Sequence, residues 1–159
     1  MLTKQDKEKM IQKMHNVLMT QDGLAAGEVG ECLYYNKDNG CRCAIGALMD
    51  KQDAKKISHI GTVVGFGKDE MKMLTKHYPN LSVGGGYDDL DFLHEIQRLH
   101  DDSTRISRWD DIPVGGKVMY KLQTSLPPVN LERFRMHWSH GIKKYCEEQE
   151  LQPPVDPPH

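Results

Sequence analysis

Apolar residues recur at steps of three and four in three long segments of this chain, and this spacing constrains the fold more than any other feature. In an α-helix such spacing puts the apolar side chains on one face, which must then be buried against other elements. The sequence therefore predicts a mainly helical protein. The apolar positions are Met10, Met14, Val17 and Leu18 in the first segment, Leu90, Leu93, Ile96 and Leu99 in the second, and Leu131, Phe134, Trp138, Ile142 and Tyr145 in the third.

The helix boundaries follow from capping residues and from prolines. Thr3, followed three residues later by Asp6, predicts a helix from Lys4 to about Thr20. The acidic pair Asp88-Asp89 suits the positive end of a helix that should end near His100-Asp101. The remaining helices are expected to start at Asp69 and end before Pro79, to span Val118 to Leu122, and to follow an Asn130 cap.

A short apolar run, Cys32-Leu33-Tyr34-Tyr35, precedes a polar turn that ends in Asn39-Gly40. Asn and Gly tolerate positive φ, so this pattern predicts a β-hairpin near residues 32 to 45. The predicted fold class is therefore α+β, predominantly α-helical, with about five helices and one small hairpin. We expect a single compact globular domain over residues 1 to 150 and a proline-rich C-terminal tail over residues 151 to 159.

Charge and composition narrow the function classes. The net charge of −2, from 21 basic and 23 acidic residues, supplies no global field to attract nucleic acid or an anionic membrane. The first 21 residues lack the apolar core of a signal peptide, and no window approaches the roughly 18 apolar residues of a membrane span. We therefore expect a cytoplasmic protein that has no membrane association and whose four cysteines are reduced thiols. These features do not predict an oligomeric state.

Several segments together resemble an uncharacterised family of small proteins common in bacteriophage and prophage genomes. The resemblance covers roughly residues 9 to 110, and the chain departs from the family by glycine-rich insertions at Gly61 to Gly67 and Gly84 to Gly86. It implies an accessory protein that acts in the cytoplasm of a host cell, and it implies no particular reaction. The matching pieces are Val17 to Gln21, Cys32-Leu33-Tyr34, Gly40 to Leu48 with its Cys-Ala-Ile-Gly-Ala-Leu run, Leu93 to Asp101, and Trp109.

One enzymatic hypothesis centres on Cys43 as a nucleophile, because it follows a glycine-bearing turn and can open a helix whose dipole lowers a thiol pKa. His100 would be the base, Asp101 or Asp110 the residue that orients it, and Gln21 an oxyanion donor. This order along the chain is that of papain-like enzymes. Two features disfavour the hypothesis. Adjacent residues on a helix diverge by about 100°, and the small and apolar residues that follow Cys43 are typical of a buried thiol.

Metal and phosphate sites are disfavoured by spacing. Cys41-x-Cys43 lacks the two to four intervening residues of zinc-binding pairs, and no second cysteine pair exists to complete the site. The segment from Gly61 to Lys68 is one residue longer than a P-loop, and Asp69 stands where a Ser or Thr would hold magnesium. We therefore predict neither a metal site nor a cofactor.

The favoured hypothesis is a non-enzymatic binding protein that contacts a host protein or a small ligand, as in host takeover or the countering of host defence. A nucleic-acid partner is disfavoured, because glutamates dilute the basic residues of the last helix. The alternative is a cysteine-dependent hydrolase that uses Cys43 and His100. The candidate binding residues are Trp109, His137, Trp138 and His140.

Overall fold

The structure is a computed structural model. It describes residues 1–25, 33–58, 65–82, 87–109 and 130–158, and of Tyr87, Asp88 and Trp109 it describes the backbone only. This part of the chain forms an all-α fold. Its elements are α1 (Lys4–Thr20), a 3-10 helix (Gly46–Leu48), α2 (Lys51–Lys56), α3 (Lys68–Thr75), α4 (Tyr87–Trp109) and α5 (Leu131–Glu148).

The first helix confirms its prediction from periodicity and capping. The Thr3 hydroxyl accepts a hydrogen bond from the Asp6 backbone N–H at 3.1 Å, and the Asp6 carboxylate accepts one from the Thr3 N–H at 2.9 Å. This reciprocal pairing satisfies two N–H groups that the helix itself leaves unpaired. The apolar face that includes Met10, Met14 and Leu18 is fully buried.

Helix α4 continues about two turns beyond the predicted end at His100-Asp101. The extension is rich in hydroxyl side chains, which compete with the helical backbone and make a helix hard to predict there. In the structure these hydroxyls bond to carbonyls of the preceding turn: Ser103 to Leu99 at 2.7 Å and Thr104 to His100 at 3.1 Å. The backbone N–H of Asn130, the cap of α5, donates to the Ser107 carbonyl at 3.2 Å, so packing against α5 accompanies the extra turns.

The predicted β-hairpin is wrong, because no strand occurs among the described residues. Only an isolated antiparallel bridge joins Tyr35 to Arg42, around a turn in which Gly40 has φ +72° as the Asn-Gly pair predicts. After this bridge the backbone N–H of Ala47 bonds to the carbonyl of Cys43 at 2.9 Å, which coils the chain into the 3-10 helix. Residues 43 to 49 are buried without alternation, so this segment has no solvent face of the kind that a strand of a small hairpin needs.

The described residues form five α-helices, which agrees with the predicted count of about five, but the set differs. Helix α2 was not predicted, whereas the predicted helix from Val118 to Leu122 lies outside the described residues. The polar sequence of α2 carries little periodic signal. Its Asp53 is buried and accepts a hydrogen bond from the Lys76 ammonium at 2.7 Å, just beyond α3. That hydrogen bond holds the pKa of Asp53 below its ordinary value.

The long helices build the core around α5. Helix α4 packs along α5, while α1 contacts both α5 and the 3-10 helix. The most central side chains of α5 are Phe134, Trp138 and Ile142, all fully buried. This arrangement gives α5 an exposed side beside α4, and it brings the C-terminal tail back to α1.

Candidate functional site

Cys43, the predicted nucleophile, lies in the core immediately before the 3-10 helix. None of its side chain is exposed, and its Sγ accepts a hydrogen bond from the Gly46 backbone N–H at 3.4 Å. A thiol attacks as a thiolate and needs access to its substrate. In this conformation a substrate cannot reach the Cys43 thiol, because the side chain is fully buried in the core.

Two further described thiols, Cys41 and Cys146, are also buried. Burial raises the pKa of the Cys41 thiol, and it raises the pKa of the Cys146 thiol to about 11. Both groups therefore stay protonated at neutral pH, which makes them poor nucleophiles and poor metal ligands. Cys32 lies outside the described residues.

Gln21, the predicted oxyanion donor, lies beside the nucleophile candidate but is engaged by the backbone. Its Oε1 accepts from the Arg42 N–H at 3.0 Å, and its Nε2 donates to the Arg42 carbonyl at 2.8 Å. Arg42 directly precedes Cys43, so the structure does bring Gln21 near that segment. These two hydrogen bonds connect the end of α1 to the turn before the 3-10 helix.

His100 and Asp101 do contact each other, which corrects the expectation that adjacent helical residues diverge too far. The His100 Nδ1 lies 3.2 Å from an Asp101 carboxylate oxygen. The ring is buried, edge-on to Phe134 and Trp138 with centroid distances of 5.5 and 6.5 Å. Its Nε2 has no hydrogen-bond partner among the described residues. This geometry is that of an oriented base whose reactive nitrogen faces the core of the protein.

The predicted binding residues of α5 divide between core and surface. Trp138 is fully buried and has no surface to offer a partner. His137 is half-buried, with Nδ1 2.8 Å from the Ser103 hydroxyl. That hydroxyl donates its proton to the Leu99 carbonyl, so His137 is the donor to Ser103. His140 is exposed. Trp109, the fourth candidate, has a side chain outside the described part of the structure.

An open groove of about 330 Å³ lies between α4 and α5 and includes both of these histidines. Gly141 lets the helices approach closely at its floor, since a Cβ there would lie 2.5 Å from the Leu99 Cδ1. Burial raises the pKa of Tyr145 to about 12, which keeps this lining phenol protonated. The charges at the rim alternate in sign, and two of their pairs are Arg98 with Glu95 at 3.3 Å and Lys144 with Glu148 at 3.9 Å. The lining residues are Glu95, Arg98, Leu99, Asp102, His137, His140, Gly141, Lys144, Tyr145 and Glu148.

A chain of hydrogen bonds that joins Trp138, His15 and Asp156 was not predicted from the sequence. The Trp138 Nε1–H donates to the His15 Nδ1 at 3.2 Å, and the His15 Nε2 lies 2.8 Å from the Asp156 carboxylate. Because Nδ1 accepts a hydrogen bond from Trp138, neutral His15 carries its proton on Nε2, and this N–H donates a hydrogen bond to Asp156. His15 shares the buried face of α1 with apolar residues, and this position was the available signal. Its partner Asp156 lies 141 residues away in the sequence, so no local pattern indicated this contact.

The burial of His15 predicts a dependence of stability on pH. Burial lowers the pKa of His15 below its ordinary value of 6.5, although the nearby Asp156 opposes that shift. The unfolded chain therefore binds a proton at a higher pH than the native chain, so the free energy of unfolding falls as pH drops below about 6.5. We expect this contribution of His15 to the free energy of unfolding to decrease progressively from pH 7 to pH 5.

Urea denaturation of the native sequence and of His15→Gln at several pH values measures this contribution. The exposed His140→Gln is the matched control and should keep the native pH dependence. Asp156, whose pKa is lowered by its hydrogen bond with His15, loses its contribution only at more acidic pH. An unchanged slope between pH 7 and pH 5 in His15→Gln would contradict the assignment.

Within the described residues, no group of three or more His, Cys, Asp or Glu side chains is arranged to hold a metal ion. The same residues include no helix with the length and apolarity to cross a membrane. Comparisons with protein-family models, curated proteins and solved structures give no significant match to this chain.

Proposed function

We propose that this chain is a non-enzymatic accessory protein of phage type that acts in the host cytoplasm by binding a host protein. The open groove between α4 and α5 carries the proposal. Its paired charges and two histidines can form hydrogen bonds and ion pairs with a complementary surface. Alternating charges at such a rim favour one partner over others and set its orientation more than they raise raw affinity.

A host protein is favoured over a small ligand because of the shape and polarity of this groove. Small-molecule sites are concave and mostly apolar, and they enclose most of the ligand. Here Leu99 and Tyr145 contribute limited apolar surface, while charged side chains supply half of the lining residues. This composition resembles the polar rim of a protein interface.

Capture from a host lysate by the immobilised full chain tests the proposed function. We expect a host protein that is retained by the native chain and lost with Arg98→Glu, which reverses one charge at the rim. Lys13→Glu, an equivalent change at an exposed position of α1, is the matched control and should retain the same protein. Capture of nothing, or equal capture by all three chains, would overturn the proposal.

The second candidate function is a cysteine-dependent hydrolase that uses Cys43 and His100, with Asp101 and Gln21 in supporting roles. The observation in its favour is the 3.2 Å contact between His100 and Asp101, together with the buried His100 Nε2, for which the described part of the chain supplies no hydrogen-bond partner. Alkylation of the native chain at neutral pH, mapped by mass spectrometry, separates the two functions. The binding function predicts that Cys43 reacts only after unfolding, whereas rapid modification of Cys43 in the folded chain supports the hydrolase.

A further inference from the structure

The C-terminal tail lies along α1 and is held there by hydrogen bonds that come mostly from α1. The Gln152 N–H donates to the Glu8 carboxylate at 2.8 Å. The Gln12 carboxamide pairs with both backbone groups of Val155, accepting from its N–H and donating to its carbonyl, each at 2.8 Å. Asp156 then accepts from His15. The tail and α1 therefore run in the same direction, over five tail residues and eight helix residues.

These spacings fit an extended proline-rich segment on one helix face. A polyproline II segment rises about 3.1 Å per residue, so residues 152 to 156 span about 12 Å. An α-helix rises about 1.5 Å per residue, so residues 8 to 15 span about 10.5 Å. Positions 8, 12 and 15 share one face of α1, because they are separated by four and three residues. The tail segment and the helix segment therefore have similar lengths, so their contacts can continue from residue 152 to residue 156.

The contacts divide into those that recognise main chain and those that recognise side chains. Gln12 binds the peptide groups of Val155 and would do so for most residues at that position. Selectivity comes from Pro154, which is buried, and from Asp156, whose carboxylate also accepts from the Lys143 ammonium at 3.2 and 3.3 Å. The Val155 side chain is 74% exposed and contributes little. Together, the α1 face and the part of α5 that shares a pocket with Pro154 thus select a proline two residues before an aspartate.

The tail contact is built to open without unfolding the core. The bonds from Glu8 and Gln12 to the tail are exposed to solvent, and exposed backbone bonds open at low free energy. Glu150, the residue immediately before the tail, has a φ of 54°, in the left-handed region that strains a residue with a side chain. A hinge at this residue can release that strain when the tail leaves.

We propose that this face of α1, with Lys143 of α5, is a recognition site for an extended peptide with a proline two residues before an aspartate. The chain's own tail occupies the site as an internal ligand, and a segment of the same chemistry in a partner protein displaces it. The Lys143 ammonium matches the carboxylate of such a segment in charge, and His15 forms a hydrogen bond with it. This inference rests on the proposed function, since it names a feature of the host protein bound.

A labelled synthetic peptide of residues 151 to 158, added to the full chain, tests the site by fluorescence anisotropy. Asp156→Ala in the chain weakens the internal ligand and leaves the Gln12, His15 and Lys143 side chains in place. We expect this variant to bind the peptide at least tenfold more tightly than the native chain, because the intact tail competes at a high effective concentration. Peptides with Pro154→Ala or Asp156→Ala should bind at least tenfold more weakly.

Circular dichroism verifies that the Asp156→Ala chain is folded, and it keeps the result interpretable. Failure of the folded variant to bind the peptide, or equal binding of the native and altered peptides, overturns the proposal. Concentration-dependent dimers that exchange tails between two copies also overturn it, because the occupant would then be a second copy.

Hydrogen exchange in the unaltered chain supplies an independent measurement. The amides of Gln152 and Val155 should exchange at least a hundredfold faster than the amide of buried Ile142, through local opening of the tail. Exchange of all three only through global unfolding overturns the proposal. The peptide assay contains no host protein and leaves Arg98 unchanged, so its failure is distinguishable from failure of the lysate capture.

Discussion

Gly46→Ala is expected to lower the free energy of unfolding by about 3 kcal/mol. A Cβ at this position would lie far inside contact distance of the Tyr34 carbonyl oxygen and 2.8 Å from the Tyr34 carbonyl carbon. Both atoms belong to backbone, which cannot rotate away as a side chain can. Tyr34 is itself fixed, since it is fully buried, packs against Phe66 at 5.3 Å and bonds through its hydroxyl to Gln97 at 3.3 Å.

Gly141→Ala is the matched control for this substitution. Its Cβ would meet the Leu99 Cδ1 at 2.5 Å, but that atom is the end of a flexible side chain. An alanine inside a helix also gains about 1 kcal/mol over glycine. We therefore expect Gly141→Ala to remain within about 1 kcal/mol of the native chain. Urea denaturation followed by circular dichroism measures both changes, and similar values for the two variants would contradict the role of Gly46.

Gly46 also marks how far the sequence predicts this fold. The burial of Cys43 was correctly expected, because the residues that follow it are small and apolar. The pairing of the run from Cys41 to Gly46 with the preceding apolar run was wrongly expected to form a hairpin. The structure differs from this prediction because the segment from 43 to 49 is buried on all sides. The apolar pattern of so short a segment does not distinguish a buried strand from a buried helical turn.

The long helices were predictable because their stability comes from an apolar stripe that the sequence displays. The structure of residues outside such stripes was not predictable in this way. The last turns of α4 depend on hydroxyl groups that bond back to the helix and on contact with Asn130, and α2 depends on the pair of Asp53 with Lys76. The contacts of Asn130 with Ser107 and of Asp53 with Lys76 are long-range, and no local pattern encodes them.

The same limit applies to the candidate site. The histidines of α5 were selected by residue type, and the structure leaves His140 exposed beside the groove. Trp138 was predicted as a binding residue, yet among the described residues it has the largest fully buried side chain. Its indole N–H connects the core to His15 and, through Asp156, to the tail. Trp138 therefore supports the tail contact from inside.

Trp138→Phe is accordingly expected to lower the free energy of unfolding by about 3 kcal/mol. The smaller ring leaves part of the indole space empty, and loss of the N–H donor leaves the His15 Nδ1 buried without its partner at 3.2 Å. An unsatisfied buried acceptor costs about 1 to 3 kcal/mol. Met136→Ala, at a side chain of α5 that is 68% exposed, is the control and should change stability by less than about 0.5 kcal/mol.

A double-mutant cycle separates the hydrogen bond from the loss of volume. When His15→Phe removes the acceptor, Trp138→Phe no longer strands a buried nitrogen, and its effect should fall by at least about 1 kcal/mol. The four chains are compared by urea denaturation at pH 7.5, where His15 is neutral. A coupling energy near zero would show that volume alone explains the effect, and it would remove Trp138 from the chain of contacts that reaches the tail.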